Sequence, residues 1–318
     1  MAVVVAAAAG RANDWALAAA IAGSMSAGVL VPDAGKMVGP YLLVWLGALL
    51  FLNLLKLDAR DVVATFSRPK SLAVLAAVKL VALPVAAYAV TFALYRPFAL
   101  PVMLVAGMST GLGAPFVANV AGARLPLIVG MITVTSLAVP FVLPSLVYVL
   151  VGSEFEIPLG QMVLLLAAAL FIPLGAGWMT KKYAPQASAF AERNSFPLSI
   201  AFVVLINISM FSTVSGYFFS DQLFLAQTVA ASFLLFGALA LAGYAASPAD
   251  ERPQGLIATT YVNNTLVMVF AAQFFGPQVA ALAALYNIPY YVNILAVKKV
   301  IVRYGRRHQE EEKKKLPE

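Results

Sequence analysis

The sequence predicts an all-α membrane protein of ten transmembrane helices, arranged as two inverted five-helix repeats with discontinuous fourth and ninth helices that cross. Three observations carry this reading. Of 318 residues, 62% are hydrophobic and 11% are charged, where a soluble domain carries about a quarter charged residues. Ten apolar stretches approach the roughly 20 residues that a bilayer-spanning helix needs. The basic residues also sort to one side of the membrane once those stretches are counted.

In the first half the stretches run near Asp14–Val31, Gly39–Leu57, Ser71–Leu94, Phe98–Ala121 and Pro126–Val151. After the loop carrying Glu154 and Glu156 come Leu159–Met179, Phe196–Tyr217, Gln222–Ala246, Leu256–Phe275 and Gln278–Ile301. The opening run Met1–Gly10 is apolar but too short to span, and it lacks the positive n-region of a secretory signal. With the N-terminus placed inside, 18 of the 21 Lys and Arg residues fall on the cytoplasmic side. Only Lys36 and Arg96 fall outside, and Lys79 lies within a helix. That asymmetry is the positive-inside pattern, and one span more or fewer would scramble it. The expectation is a multi-pass protein of the cell membrane with both termini cytoplasmic.

Five spans on each side of the Glu154 loop insert with opposite orientation, as in inverted-repeat transporters. The expected organisation is residues 1–151 as the first repeat, 152–301 as the second and 302–318 as a charged cytoplasmic tail. The net charge of +7 does not point to nucleic acid, because eight basic residues lie in the C-terminal end and most others in short loops. The sequence has no cysteine, and its one histidine, His308, sits among the tail charges. No cofactor is expected.

Polar groups inside the spans locate the working region, because at membrane depth they must face a partner or a wet cavity. The fourth span reads Gly107-Met-Ser-Thr-Gly-Leu-Gly-Ala-Pro-Phe-Val-Ala-Asn119. Gly111, Gly113 and Pro115 weaken its middle, since proline removes a backbone donor and clashes with the preceding turn. A kinked helix packing through its glycines is the plainer alternative. The ninth span carries Thr259-Thr260-Tyr261-Val262-Asn263-Asn264-Thr265, and an isolated Asn pair there could simply bond across helices. Two such segments at corresponding positions point instead to a transport site. Freed N–H groups and half-helix dipoles suit an anionic ligand. Asn119, Asn263, Asn264 and Thr265 are the candidates to hold it or the helix breaks, with Thr110 and Thr259 as candidate hydroxyl contributors. Tyr286, Asn287 and Asn293 either line the cavity or bond neighbouring helices.

Lys79 is the third feature, about 12 Å into its span by the helical rise. It either snorkels to the cytoplasmic interface or is buried. With no carboxylate inside a span, a buried Lys79 would be neutral, bonded to carbonyls or paired with a bound anion.

This pattern resembles the bile acid:sodium symporter family and, more distantly, the auxin efflux carriers. The matching features are the ten spans, Arg68-Pro69-Lys70 entering the third helix, and Lys79-Leu-Val-Ala-Leu-Pro84 after it. Ala118-Asn119-Val120 and Asn263-Asn264 complete the set. The resemblance implies a panel domain of helices 1, 2, 6 and 7 and a core domain of helices 3–5 and 8–10. In that core the fourth and ninth helices break and cross. It also implies an organic anion substrate, usually driven by two sodium ions.

The departures bear on coupling. Where the family's ninth-helix motif has a sodium-touching glutamate, this chain has Thr259. A third-helix glutamine matches Lys79, a serine matches Ala118, and two fifth-helix hydroxyl positions fall on Ile128 and Ile132. These changes remove the oxygen ligands that a hard cation requires and add a positive charge. An ammonium has three donors with which to hold the same carbonyls. The sequence therefore points to a secondary transporter of a small organic anion that does not depend on sodium, with Lys79 bracing the crossing. A sodium-coupled symporter with a reduced site, and a channel or sensor on the same fold, remain alternatives. An intramembrane enzyme is disfavoured, because beyond Asp14 at the very start of the first span no span holds His, Cys, Asp or Glu for known hydrolytic constellations. The expected partners are the anion and the lipid bilayer.

Overall fold

The computed structural model describes residues 19–55, 69–152, 158–294, 296–299 and 301. Arg11, Lys56, Arg60, Arg68, Glu154, Glu156 and the 302–318 tail, all used in the topological reading, lie outside the described residues. Among the described residues the regular structure is helical apart from one isolated antiparallel bridge.

In chain order the first helices are α1 (Ala19–Leu30), α2 (Pro32–Val38), α3 (Leu42–Leu55), α4 (Pro69–Ala77) and α5 (Leu83–Leu94). Next come α6 (Ala99–Gly107), α7 (Ala114–Ala121), α8 (Pro126–Val151), α9 (Leu159–Tyr183) and α10 (Pro185–Arg193). The last are α11 (Ser195–Ser220), α12 (Gln222–Ala246), α13 (Arg252–Thr260), α14 (Asn264–Phe275) and α15 (Pro277–Val292). Six helical runs are long and apolar enough to cross a bilayer by length and composition: Pro32–Leu52, Pro69–Leu94, α8, α9, α11 and α12. Ala19–Leu30, Arg96–Gly107 and Asn264–Phe275 are apolar but shorter.

Two boundaries differ from the sequence expectation. The link between the first two spans is not a loop, because a helix starts at Pro32 directly after Val31. Proline suits a first helical turn, where its missing N–H is not needed. The exposed Lys36 sits on that helix and pairs with Asp33 at 2.7 Å. The second difference is α10, a short helix inside what reads as a connecting loop.

The Cα positions cluster into two units, one from Met1–Lys56 and Ala169–Leu225, the other from Leu57–Ala168 and Ala226–Glu318. In the first, α1 and α2 pack against α11 through small residues, the usual means of close approach between membrane helices. A Cβ on Gly28 would press on Ile208 and Phe211 at 2.8 Å, and one on Gly35 would run into Ser212. Asn207 donates to Ser24 at 3.1 Å, and Ser24 donates to the Ile21 carbonyl at 2.9 Å. Trp45 stacks on Phe202 with ring centroids 6.1 Å apart.

In the second unit, α4 runs into α5 through a π-helical turn at Val78–Ala82. The cause is Pro84, which has no N–H to give the Leu80 carbonyl and whose ring crowds that turn. The helix widens, and the Leu83 N–H bonds instead to Val78 O. Leu72, Leu75 and Ala76 from α4 pack with Leu127 and Met131 from α8 and Ala258 from α13 as a buried apolar cluster. Above it, Ser71 donates to Glu251 at 2.5 Å and Arg124 donates to the Asp250 carbonyl at 2.7 Å. The helices α12 and α13 approach closely at Gly243 and Gly255, where each backbone occupies the space of the other's missing Cβ.

That approach predicts opposite outcomes for two glycines of α12. Gly243→Val overpacks the contact and costs about 1–3 kcal/mol, read as a lower midpoint of thermal unfolding in detergent. Gly237 has nothing within 4 Å of a built Cβ, so Gly237→Ala is expected to be neutral or to stabilise by up to about 1 kcal/mol.

Candidate functional site: the crossing of two broken helices

The fourth span stops as a helix at Gly107, turns extended at Met108 (φ −70°, ψ 151°) and restarts at Ala114. Pro115 does not make the break. It stands in the first turn of α7, after it, where proline favours a helix start. The ninth span stops at Thr260 and restarts at Asn264. Its break holds two i→i+2 bonds, Val262 N–H to Thr260 O at 3.1 Å and Asn264 N–H to Val262 O at 2.8 Å. These are inverse γ-turns centred on Tyr261 and Asn263.

The two breaks satisfy each other. Gly111 N–H donates to Tyr261 O at 2.7 Å, and Asn263 N–H donates to Ser109 O at 2.8 Å. They bracket a Thr110–Val262 antiparallel bridge. Gly111 is required here, because a Cβ on it would collide with the Val262 carbonyl.

Several side chains expected to serve a ligand are engaged in holding this crossing. Thr110 is buried; its hydroxyl donates to Ala258 O at 2.7 Å and its N–H donates to Thr135 Oγ1 at 3.0 Å. Thr259 is buried too, and its hydroxyl reaches Leu239 O at 2.8 Å and Gly255 O at 3.0 Å. Asn263 caps α14, its Oδ1 accepting from Leu266 N–H at 3.4 Å. Asn264 donates to Ala283 O at 2.6 Å and to Asn287 Oδ1 at 2.9 Å, tying α14 to α15. Tyr286 donates to Thr260 O at 2.9 Å, whereas Asn293 donates along its own helix, to Pro289 O. Thr265 is half-buried, and Asn119 is exposed on α7.

Lys79 does not snorkel. It is 0% exposed and donates to Ala106 O at 2.8 Å. The π-turn that Pro84 imposes carries this side chain, and Ala106 lies in the last turn of α6, where carbonyls lack intrahelical donors. An ammonium there complements the negative end of the half-helix dipole. Among the described residues no carboxylate pairs with it.

Three buried polar atoms at the crossing make no hydrogen bond among the described residues: Ser109 Oγ, Tyr261 OH and Asn264 Oδ1. The residues missed by sequence reasoning are Ser109, Tyr261 and Thr135. Thr135 offered only a hydroxyl in the 26-residue apolar helix α8, and the other two stood unremarked inside the polar segments. Replacing Thr110 with the near-isosteric Val would orphan the Ala258 carbonyl. Thr110→Val is expected to cost about 1–3 kcal/mol in detergent unfolding, while Thr110→Ser keeps the bond and most of the stability.

Residues 43–221, including Lys79 and the whole first break, match the family model described as the Sodium Bile acid symporter family. No curated protein matches the chain. The match spans more than half of the 318 residues, and with its apolar helices the chain is a multi-pass membrane transporter belonging to the sodium bile acid symporter family.

Proposed function

We propose that this transporter carries a small organic anion by alternating access without sodium coupling, and that Lys79 replaces a coupling cation at the crossing. The observation that carries the reading is the Lys79 ammonium on Ala106 O at the end of a broken helix. The positions that the family resemblance assigns to sodium ligands do not fit that ion. Thr259 has no negative charge, and its hydroxyl donates to backbone carbonyls. Ala118, Ile128 and Ile132 are buried and bring no oxygen side chain. A hard cation needs several such oxygens.

The half-helices α7 and α14 begin at the crossing and α6 and α13 end there, so their dipoles offset one another and the Lys79 side chain is the added basic group. That addition favours an anion over a cation. Alternating access requires one body to move against another. The division into 1–56 with 169–225 and 57–168 with 226–318 supports panel and core as those bodies. The Thr135–Thr110–Ala258 bonds support a crossing that stays intact as the core moves.

The test is thermal stabilisation of the purified protein by cholate, pantothenate, pyruvate and octanoate, each in sodium chloride and in choline chloride. At least one anion is expected to raise the midpoint equally in both salts, with uptake of that anion into proteoliposomes unaffected by a sodium gradient. Stabilisation confined to sodium chloride would sink the reading. In Lys79→Gln the same anion is expected to bind about tenfold more weakly, a change of about 1.4 kcal/mol, and added sodium to recover part of the loss.

A further inference from the structure

We infer that the short helix α10 and the end of α9 form a binding surface for an anionic phospholipid at one face of the membrane. Lys182 and Arg193 meet the lipid phosphate, and Phe190 enters the acyl boundary beside it. The inference holds whatever the cargo of the transporter.

Connectivity puts α10 at a membrane face. It has nine residues, too few to cross a bilayer, and it joins the end of α9 to the start of α11, both long and apolar enough to span. Its inward side is fixed by Ser188, which is buried and donates to Glu192 Oε1 at 3.1 Å. Its last turn is closed by Asn194, whose amide donates to Phe190 O at 2.8 Å, and by Ser195, whose hydroxyl donates to Glu192 O at 2.7 Å. Phe190 comes two residues after Ser188, about 200° around the helix, and is 68% exposed. Arg193, three residues further on, shares that outward side and is also exposed.

The end of α9 supplies the rest of the surface. Trp178 and Tyr183 are 61% and 68% exposed, and Lys182 Nζ lies over both rings, 4.9 and 5.1 Å from their centroids. Exposed Trp and Tyr at the end of a span mark the level of the headgroups. A lysine laid across them is held at that depth, with its N–H donors still available. Lys181 stands 4.0 Å from Glu192, which ties this end of α9 to the last turn of α10.

Charge selects the headgroup. The segment from Lys181 to Arg193 holds three basic residues and one acidic one, Glu192, and Glu192 is engaged by Ser188 and Lys181. Among the described residues no carboxylate pairs with Lys182 or Arg193. A zwitterionic headgroup brings its own ammonium to compete with these cations, whereas an anionic one does not. A free phosphate satisfies the cations but leaves Phe190 and Trp178 uncovered. A lipid answers both, as at interfacial helices with a basic edge and an aromatic face.

The experiment follows thermal unfolding of the full chain in a neutral detergent, titrated with dioctanoyl phosphatidylglycerol, dioctanoyl phosphatidylcholine or inorganic phosphate. Phosphatidylglycerol is expected to raise the midpoint at about tenfold lower concentration than phosphatidylcholine, and phosphate to leave it unchanged. Lys182→Gln and Arg193→Gln are each expected to keep the lipid-free midpoint and to need about fivefold more phosphatidylglycerol. Phe190→Ser should weaken the response to both lipids, and Lys36→Gln, an exposed lysine on α2, should change neither. Equal responses to the two lipids, or a wild-type response in both charge variants, would overturn the inference. So would phosphate acting as well as phosphatidylglycerol, which describes a free-anion site, or an equal loss in Lys36→Gln, which describes general charge attraction. A lower lipid-free midpoint in the charge variants would make these residues structural braces, and a dimer that Phe190→Ser separates would make the face a contact between copies. Either result also overturns it.

Discussion

Two backbone hydrogen bonds, Gly111 N–H to Tyr261 O and Asn263 N–H to Ser109 O, are the constraint on which the rest of the second unit depends. A helix broken at membrane depth frees N–H and C=O groups that cost several kcal/mol each if nothing pairs them. Breaking two helices side by side lets each supply the partners that the other lost. The sequence requirement follows directly, since only glycine at 111 leaves room for the Val262 carbonyl. The double γ-turn at Tyr261 and Asn263 uses up further groups within three residues.

Side-chain hydroxyls and the Lys79 nitrogen complete the half-helix ends. Ala258 O takes Thr110, Thr260 O takes Tyr286, and Ala106 O takes Lys79. Each is a carbonyl in the last turn of a half-helix, so the side chains serve as C-terminal caps in a setting where water is not at hand. Residues that cap carbonyls thereby fix the geometry of the crossing.

Lys79 connects the fold's local irregularity to its electrostatics. Pro84 forces the π-turn, the π-turn carries Lys79, and the side chain reaches the end of α6. A glutamine in that place would offer an oxygen to a cation. Lys79 instead places a tethered nitrogen donor on the Ala106 carbonyl, and the proposed independence from sodium rests on that exchange.

Much of this was legible in the sequence, and for reasons that can be named. The apolar stretches and loop charges gave a helical membrane protein, and Gly111 together with the Thr259–Thr265 run marked where two helices would break. Proline chemistry was legible in kind but not in position, because Pro115 starts a helix rather than breaking one. The role of each polar residue was not legible at all. Thr110, Thr259, Ser109 and Tyr261 stand within or beside the same two short segments, yet two are engaged and two are not. Which hydroxyl meets a carbonyl depends on partners far along the chain, such as Ala258 for Thr110 and Leu239 for Thr259. The sequence by itself determined the membrane class, the breaks and the intramembrane charge, since these are set by local composition and backbone chemistry. Only the tertiary structure decided that Lys79 is buried on Ala106 and which polar atoms remain unspent, because hydrogen-bond satisfaction is a property of neighbours in space.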